Sequence, residues 1–171
     1  MLLRPATAAD ALAIETIRVR GWRTAYRHVL PADALDGMPI DGGRWRGRLE
    51  SPPAGWSTFV AEGDGAVLGF AAVGPSRDEP GIGELYAIYV EPDEWSTGAG
   101  RALLRRAEAE LEREYAEATL WVLEDNPRAR RFYEIAGWAA DGARKAEPRW
   151  GVRAPEVRYR KALRESRRAR S

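Results

Sequence analysis

The chain has 171 residues, 44% hydrophobic and 31% charged, with mean hydropathy −0.49 and net charge +1, the make-up of one ordinary globular domain. It has no cysteine and one histidine, His28, which excludes disulfides, thiolate nucleophiles, iron–sulfur clusters and multi-histidine metal sites, so no metal is expected. No apolar run approaches the roughly eighteen residues of a membrane span, and the N-terminal stretch lacks a signal-peptide pattern, so a cytoplasmic protein without membrane attachment is expected.

Leu2–Arg4 reads as a first strand. Thr7 and Asp10 supply a cap and a first-turn acid, and Leu12, Ile14, Ile17 and Val19 predict a helix to about Gly21. A second helical stretch carries Trp22, Tyr26 and Leu30 four apart, with Pro31 as its stop. Asp41 to Glu50 predicts a short basic helix, followed by a Pro/Gly loop. Ser57–Glu62 and Ala66–Gly74 are strands joined by an Asp-Gly hairpin turn, and Glu84–Val90 is a third. Leu103, Leu104, Ala107 and Leu111 place a helix over Arg101 to Tyr115. Ala118–Leu123 is a further strand. Pro127–Ala136 is a helix with Asn126 as its cap and Gly137 as its end. Val152–Tyr159 is expected as the last strand. The order predicts a mixed α+β domain over residues 1–163, with a sheet of six or seven strands.

Charge is unevenly placed. Arg158–Ser171 holds seven Lys/Arg against one acid, whereas residues 1–157 hold 20 basic and 25 acidic residues. Residues 164–171 are expected as a solvated basic tail, and nucleic acid is not an expected partner.

The most informative segment joins the third strand to its helix, Ser96-Thr97-Gly98-Ala99-Gly100-Arg101. Glycines there permit a sharp turn and a close approach by ligand, and the amides of a helix start attract phosphate. A Rossmann loop needs a third glycine at position 103, which is Leu, and a P-loop needs a lysine that is absent.

ELYAIYVEPDEWSTGAGRALL followed by LWVLEDNPRARRFYEIAGW resembles the GNAT superfamily of acetyl-CoA-dependent N-acetyltransferases. The first piece is similar to that family's Gln/Arg-x-x-Gly-x-Gly/Ala pyrophosphate motif, with Trp95 standing in the Gln/Arg position. The second is similar to its Asn-x-x-Ala-x-x-Phe/Leu-Tyr-Glu-x-x-Gly-Phe/Trp motif. The resemblance implies a GNAT fold: a central, mostly antiparallel twisted sheet flanked by helices, with a splayed strand pair holding acetyl-CoA.

By that resemblance the backbone of Ile88, Tyr89 and Val90 holds the pantetheine arm, and the Val90 amide faces the oxyanion. Ser96 and the amides of Thr97, Gly98, Ala99, Gly100, Arg101 and Ala102 take the pyrophosphate. Asn126 bonds pantetheine, and Arg130 adds charge near phosphate. Tyr133, seven residues after Asn126, matches the tyrosine that protonates the coenzyme A thiolate; a phenol with pKa about 10 suits that donor. Glu84, fourteen residues before Gly98, matches the glutamate that histone-type members use as base through water. Its strand of Tyr, Ile and Val is the apolar setting a base requires. The branch that acetylates ribosomal-protein N-termini carries a glutamate where Trp121 stands here.

Trp22, Tyr26, Tyr86, Trp121 and Trp150 are the candidates for an aromatic acceptor pocket. Without a cysteine, direct attack in a ternary complex is expected, with the primary amine of a small molecule as acceptor. Two other readings stay open: a protein lysine or N-terminal amine as acceptor, and a non-catalytic acyl-CoA sensor. A homodimer is compatible with the family.

Overall fold

A computed structural model of the protein describes residues 1–28, 30–149 and 152–164. Seven strands form one mostly antiparallel sheet in the order β1-β2-β3-β4-β5-β9-β6, and β7 and β8 form a separate ribbon. The strands are β1 Leu2–Pro5, β2 Ser57–Gly63, β3 Ala66–Pro75, β4 Gly83–Val90, β5 Glu117–Leu123, β6 Ala139–Lys145, β7 Pro148–Arg149, β8 Val152–Arg153 and β9 Glu156–Ala162. The helices are α1 Ala11–Tyr26, α2 Ala32–Asp36, α3 Gly43–Glu50, α4 Ala99–Glu112 and α5 Pro127–Ile135. Chain contacts divide these into two compact units, residues 1–74 with 86–107, and residues 75–85 with those from 108 onward. Among the described residues no helix is long and apolar enough to cross a membrane.

In the first unit β1 pairs antiparallel with β2, and β2 with β3. Asp64 and Gly65 connect the latter pair with φ of 51° and 77°, the two left-handed residues of a type I′ turn, as the Asp-Gly signal predicts. The core gathers Ala11, Ile14 and Ile17 of α1, Trp45 of α3, and Val60, Phe70 and Ala72 of the sheet. One helix runs where two were expected. Gly21 does not end α1, because its bare Cα accommodates the Tyr89 ring; a Cβ there would lie 2.7 Å from Tyr89 Cδ1. Beyond it, Trp22 and Tyr26 stack at 4.3 Å, and the Arg23 guanidinium donates to the Leu35, Asp36 and Met38 carbonyls. The sequence reading ran the helix on to Pro31; the structure ends α1 at Tyr26 and starts α2 after Pro31.

In the second unit β4 pairs in parallel with β5 at Gly83–Ala118, Glu84–Thr119 and Leu85–Leu120. The β5 strand pairs antiparallel with β9 along its whole length, and β9 with β6. The single strand expected over Val152–Tyr159 is two: residues 152–153 pair back on β7, and Pro155 separates them from β9. The β6 strand has no alternating apolar pattern and was not foreseen; its pairing with β9 defines it. Asn126 caps α5 as expected, its Oδ1 accepting the Ala129 N–H at 3.1 Å. Arg164, placed by the sequence in the tail, donates to the Glu112 and Arg113 carbonyls at the end of α4. Residues 165–171, which hold the rest of the basic stretch, lie outside the described residues.

Asp10 joins β1 to the start of α1. It accepts both ends of the Arg4 guanidinium at 2.8 and 2.9 Å and the Thr7 N–H at 2.8 Å. The Arg4 guanidinium pulls its carboxyl down to about 2. Because the folded value lies below the unfolded one, the stability this group contributes is complete above about pH 4 and is lost as pH falls toward 2. The stability difference between wild type and Asp10→Asn, read from urea unfolding, should therefore shrink by about 2 kcal/mol between about pH 5 and pH 2. A difference independent of pH would contradict this assignment.

Candidate active site

In the first unit, β4 leads through a 3-10 turn, Pro92–Glu94, into the glycine loop and α4. Trp95 fixes this turn by donating its indole N–H to the Val90 carbonyl at 3.0 Å. That is the bond made by the residue standing where the family pattern has Gln or Arg. Ser96 and Gly98 have φ of 72° and 96°, two left-handed residues in three. A non-glycine residue held there is a mark of strain, and Ser96 is one of two such residues among those described. A Cβ built on Gly98 meets nothing within 4 Å, so the loop is open on that side.

The first ladder bond of α4 is Ala102 N–H to the Gly98 carbonyl, 3.0 Å. Thr97 N–H turns back to the Glu94 carbonyl at 3.4 Å, and its hydroxyl does so at 2.8 Å. These bonds engage both ends of the amide run expected from Thr97 to Ala102. The N–H groups of Gly98, Ala99, Gly100 and Arg101 stay ahead of the ladder, at the positive end of the α4 dipole. N–H groups at a helix start are an arrangement that attracts an anion. Arg101 itself is exposed, while Ile88, Tyr89 and Val90 on β4 are all half-exposed.

In the second unit, Glu84 is fully buried. It does not stand in the purely apolar setting that its strand suggests. The Arg77 guanidinium donates to Oε1 through Nε (3.1 Å) and Nη2 (2.5 Å), and the Arg77 backbone N–H donates to Oε2 at 2.9 Å. The two following residues also grip the sheet. Asp78 accepts the Trp121 indole N–H at 2.6 Å. Glu79 accepts Arg160 at 2.8 Å and pairs with Arg158 at 2.7 Å, and these cations hold its carboxyl below the usual range. Thus Arg77, Asp78 and Glu79 bind β4, β5 and β9 in turn, and the loop before β4 lies across that face.

Tyr133 is buried on α5, with its ring against Phe132, Trp138 and Tyr159 at 5.3, 6.5 and 6.4 Å. Arg130, expected near phosphate, donates to the Tyr159 hydroxyl at 3.0 Å and to the Glu124 carbonyl at 3.2 Å. Since Asn126 Oδ1 is engaged as a helix cap, its amide nitrogen is the end that could bond a ligand. Trp121 has Lys145 over its ring at 4.3 Å and Arg158 at 5.7 Å.

Three of the remaining aromatic candidates lie in the first unit. Trp22 and Tyr26 are buried in the first unit, with Trp22 Nε1 donating to the Tyr89 hydroxyl at 2.9 Å. Tyr86 stacks on Trp56 at 4.1 Å. Trp150 lies outside the described residues. Arg77 and Asp78 were missed by sequence reasoning. The chain has 27 Lys and Arg and 26 Asp and Glu, and their spacing carries no signal that singles these two out.

The family model described as Acetyltransferase (GNAT) family matches residues 19–138. The uncharacterized N-acetyltransferase YuaI of Bacillus subtilis is 36% identical over 164 residues, covering 91% of this chain and 89% of that protein. The mycothiol acetyltransferase of Kocuria rhizophila is 40% identical over 91 residues, which are 50% of this chain and 30% of the relative. Among solved structures, yncA from Salmonella typhimurium with its cofactor acetyl-CoA has a TM-score of 0.75 at 22% identity, covering 96% of this chain and 95% of that one. The chain belongs to the GNAT family of acetyltransferases.

Proposed function

We propose that this N-acetyltransferase moves the acetyl group of acetyl-CoA to the primary amine of a small molecule, by direct attack. The observation that carries the small-molecule reading is the covered face of the second unit. Arg77, Asp78 and Glu79 tie their loop across Glu84, Trp121, Arg158 and Arg160. A face closed by the protein's own loop suits a compact acceptor better than an extended peptide. The partial similarity to mycothiol acetyltransferases supports the same class. Trp121, at the position where N-terminal acetyltransferases carry a glutamate, would line the acceptor pocket.

On this reading the amides of Gly98 to Arg101 bind the cofactor's pyrophosphate, and the backbone of Ile88, Tyr89 and Val90 aligns its pantetheine arm. The Val90 carbonyl accepts from Trp95, and by the family resemblance the Val90 N–H would stabilise the oxyanion. Tyr133 gives its phenolic proton to the departing thiolate. Glu84 draws the proton from the incoming ammonium, with Arg77 holding the carboxylate in place.

The test is free-thiol release from acetyl-CoA against a polyamine, an amino sugar, an amino acid and an arylalkylamine, with a lysine peptide as the protein-type acceptor. We expect turnover with a small amine and none with the peptide; the reverse would transfer the reading to protein acetylation. Tyr133→Phe should lower kcat about tenfold or more while leaving cofactor affinity nearly unchanged. An unaltered rate removes Tyr133 as the acid. Glu84→Gln should alter the acid limb of the pH–rate profile, and an unchanged profile removes Glu84 as the base.

A further inference from the structure

Beside the Arg77–Glu84 pair lies a buried polar atom for which the protein supplies no partner. Thr119 is fully buried, and among the described residues its hydroxyl is the one buried side-chain N/O atom without a protein hydrogen bond. Its neighbour across the parallel β4–β5 ladder is Glu84. Residues in register on adjacent strands, with backbones about 4.8 Å apart, put their side chains on the same face of the sheet. No direct bond joins the two.

The carboxylate has room for one more donor. An ionised carboxylate offers about four acceptor positions. Arg77 fills three of them, two on Oε1 and one on Oε2. Valine matches the shape of threonine and would fill the Thr119 position without burying an unpaired hydroxyl. A water can bridge polar groups that are out of direct reach of each other, and buried waters sit where polar atoms lack other partners.

We propose that Thr119 and Glu84 together hold one ordered water, bonded to Thr119 Oγ1 and donating to Glu84 Oε2. Thr119 is then a positioning residue for the proton transfer assigned to Glu84, and this part of the inference rests on that assignment. The incoming ammonium gives one proton to the water as the water passes one of its own to Oε2. The water is regenerated, Glu84 becomes a neutral acid, and the freed amine lone pair attacks the acetyl carbonyl carbon. The carbon–sulfur bond then breaks with its electron pair on sulfur, Tyr133 protonates that sulfur, and the second surplus proton on nitrogen returns to the Tyr133 phenolate.

The experiment has a structural and a kinetic arm, both on the full chain. Crystals of wild type should show one density peak within about 3.2 Å of both oxygens, absent in Thr119→Val. No such peak in wild type overturns the proposal. With whichever amine of the panel above is turned over, Thr119→Val should lower kcat about tenfold while the KM for acetyl-CoA stays near wild type. Its Tm should be equal or higher, and Thr119→Ser should keep the wild-type rate and pH profile. A wild-type rate in Thr119→Val overturns the positioning role, as does an equal loss of rate and Tm in both variants. If Glu84→Gln leaves the pH profile unchanged, the base assignment fails and the positioning role with it; the water site is then decided by the density alone.

Discussion

A turn from strand to helix normally satisfies its backbone groups within the protein, and the segment from Val90 to Ala102 must do so while leaving a cluster of amides for something else. The solution is local. Trp95 ties its indole to the Val90 carbonyl, and Thr97 folds back on Glu94 through both its amide and its hydroxyl. Ser96 and Gly98 take left-handed conformations, and the helix ladder begins only at Ala102. Four N–H groups remain at a helix start, where dipole and geometry both favour an anion. Contacts from β3 hold the strand that leads into this turn. Gly69 lets β3 approach so closely that a Cβ there would lie 2.7 Å from the Tyr89 carbonyl oxygen, and the Glu91 N–H donates to the Leu68 carbonyl.

The second unit is organised around a buried carboxylate. An isolated charge at the Glu84 position would be strongly unfavourable, and the Arg77 guanidinium compensates it. Arg77 reaches Glu84 because Ser76 closes the base of its loop, donating its N–H to the Ile82 carbonyl while its hydroxyl accepts from the Asp78 and Glu79 amides. The same loop then engages Trp121, Arg158 and Arg160. Supporting the carboxylate and covering the face beside it are thus consequences of one short segment, and the proposed acceptor class follows from that coupling.

Features set by backbone chemistry were legible in the sequence. The Asp-Gly hairpin, the glycine loop and the Asn126-Pro127 helix start each depend on residues whose conformational preferences are strong and local. The two matched motifs were enough to name the family. Features set by tertiary packing were not legible. Gly21 looked like a helix end because only the Tyr89 ring packed on it explains a glycine inside α1. The spacing of Trp22 and Tyr26 puts them on one helix face, but their stacking on each other depends on side-chain packing that spacing alone does not report. The apolar strand around Glu84 concealed a partner seven residues upstream, since the ion pair depends on a loop fold that no periodicity reports. The β6 strand shows no alternation because most of its residues are exposed.

The central claim is that the amides ahead of α4 form the cofactor's phosphate cradle. Calorimetric titration of acetyl-CoA into wild type and Gly100→Glu tests it most directly, because a carboxylate placed in the cradle both fills it and repels a pyrophosphate. Saturable binding to wild type with no detectable binding to a folded Gly100→Glu variant is the predicted result. Equal binding by the two proteins, or no binding to wild type, would contradict the account.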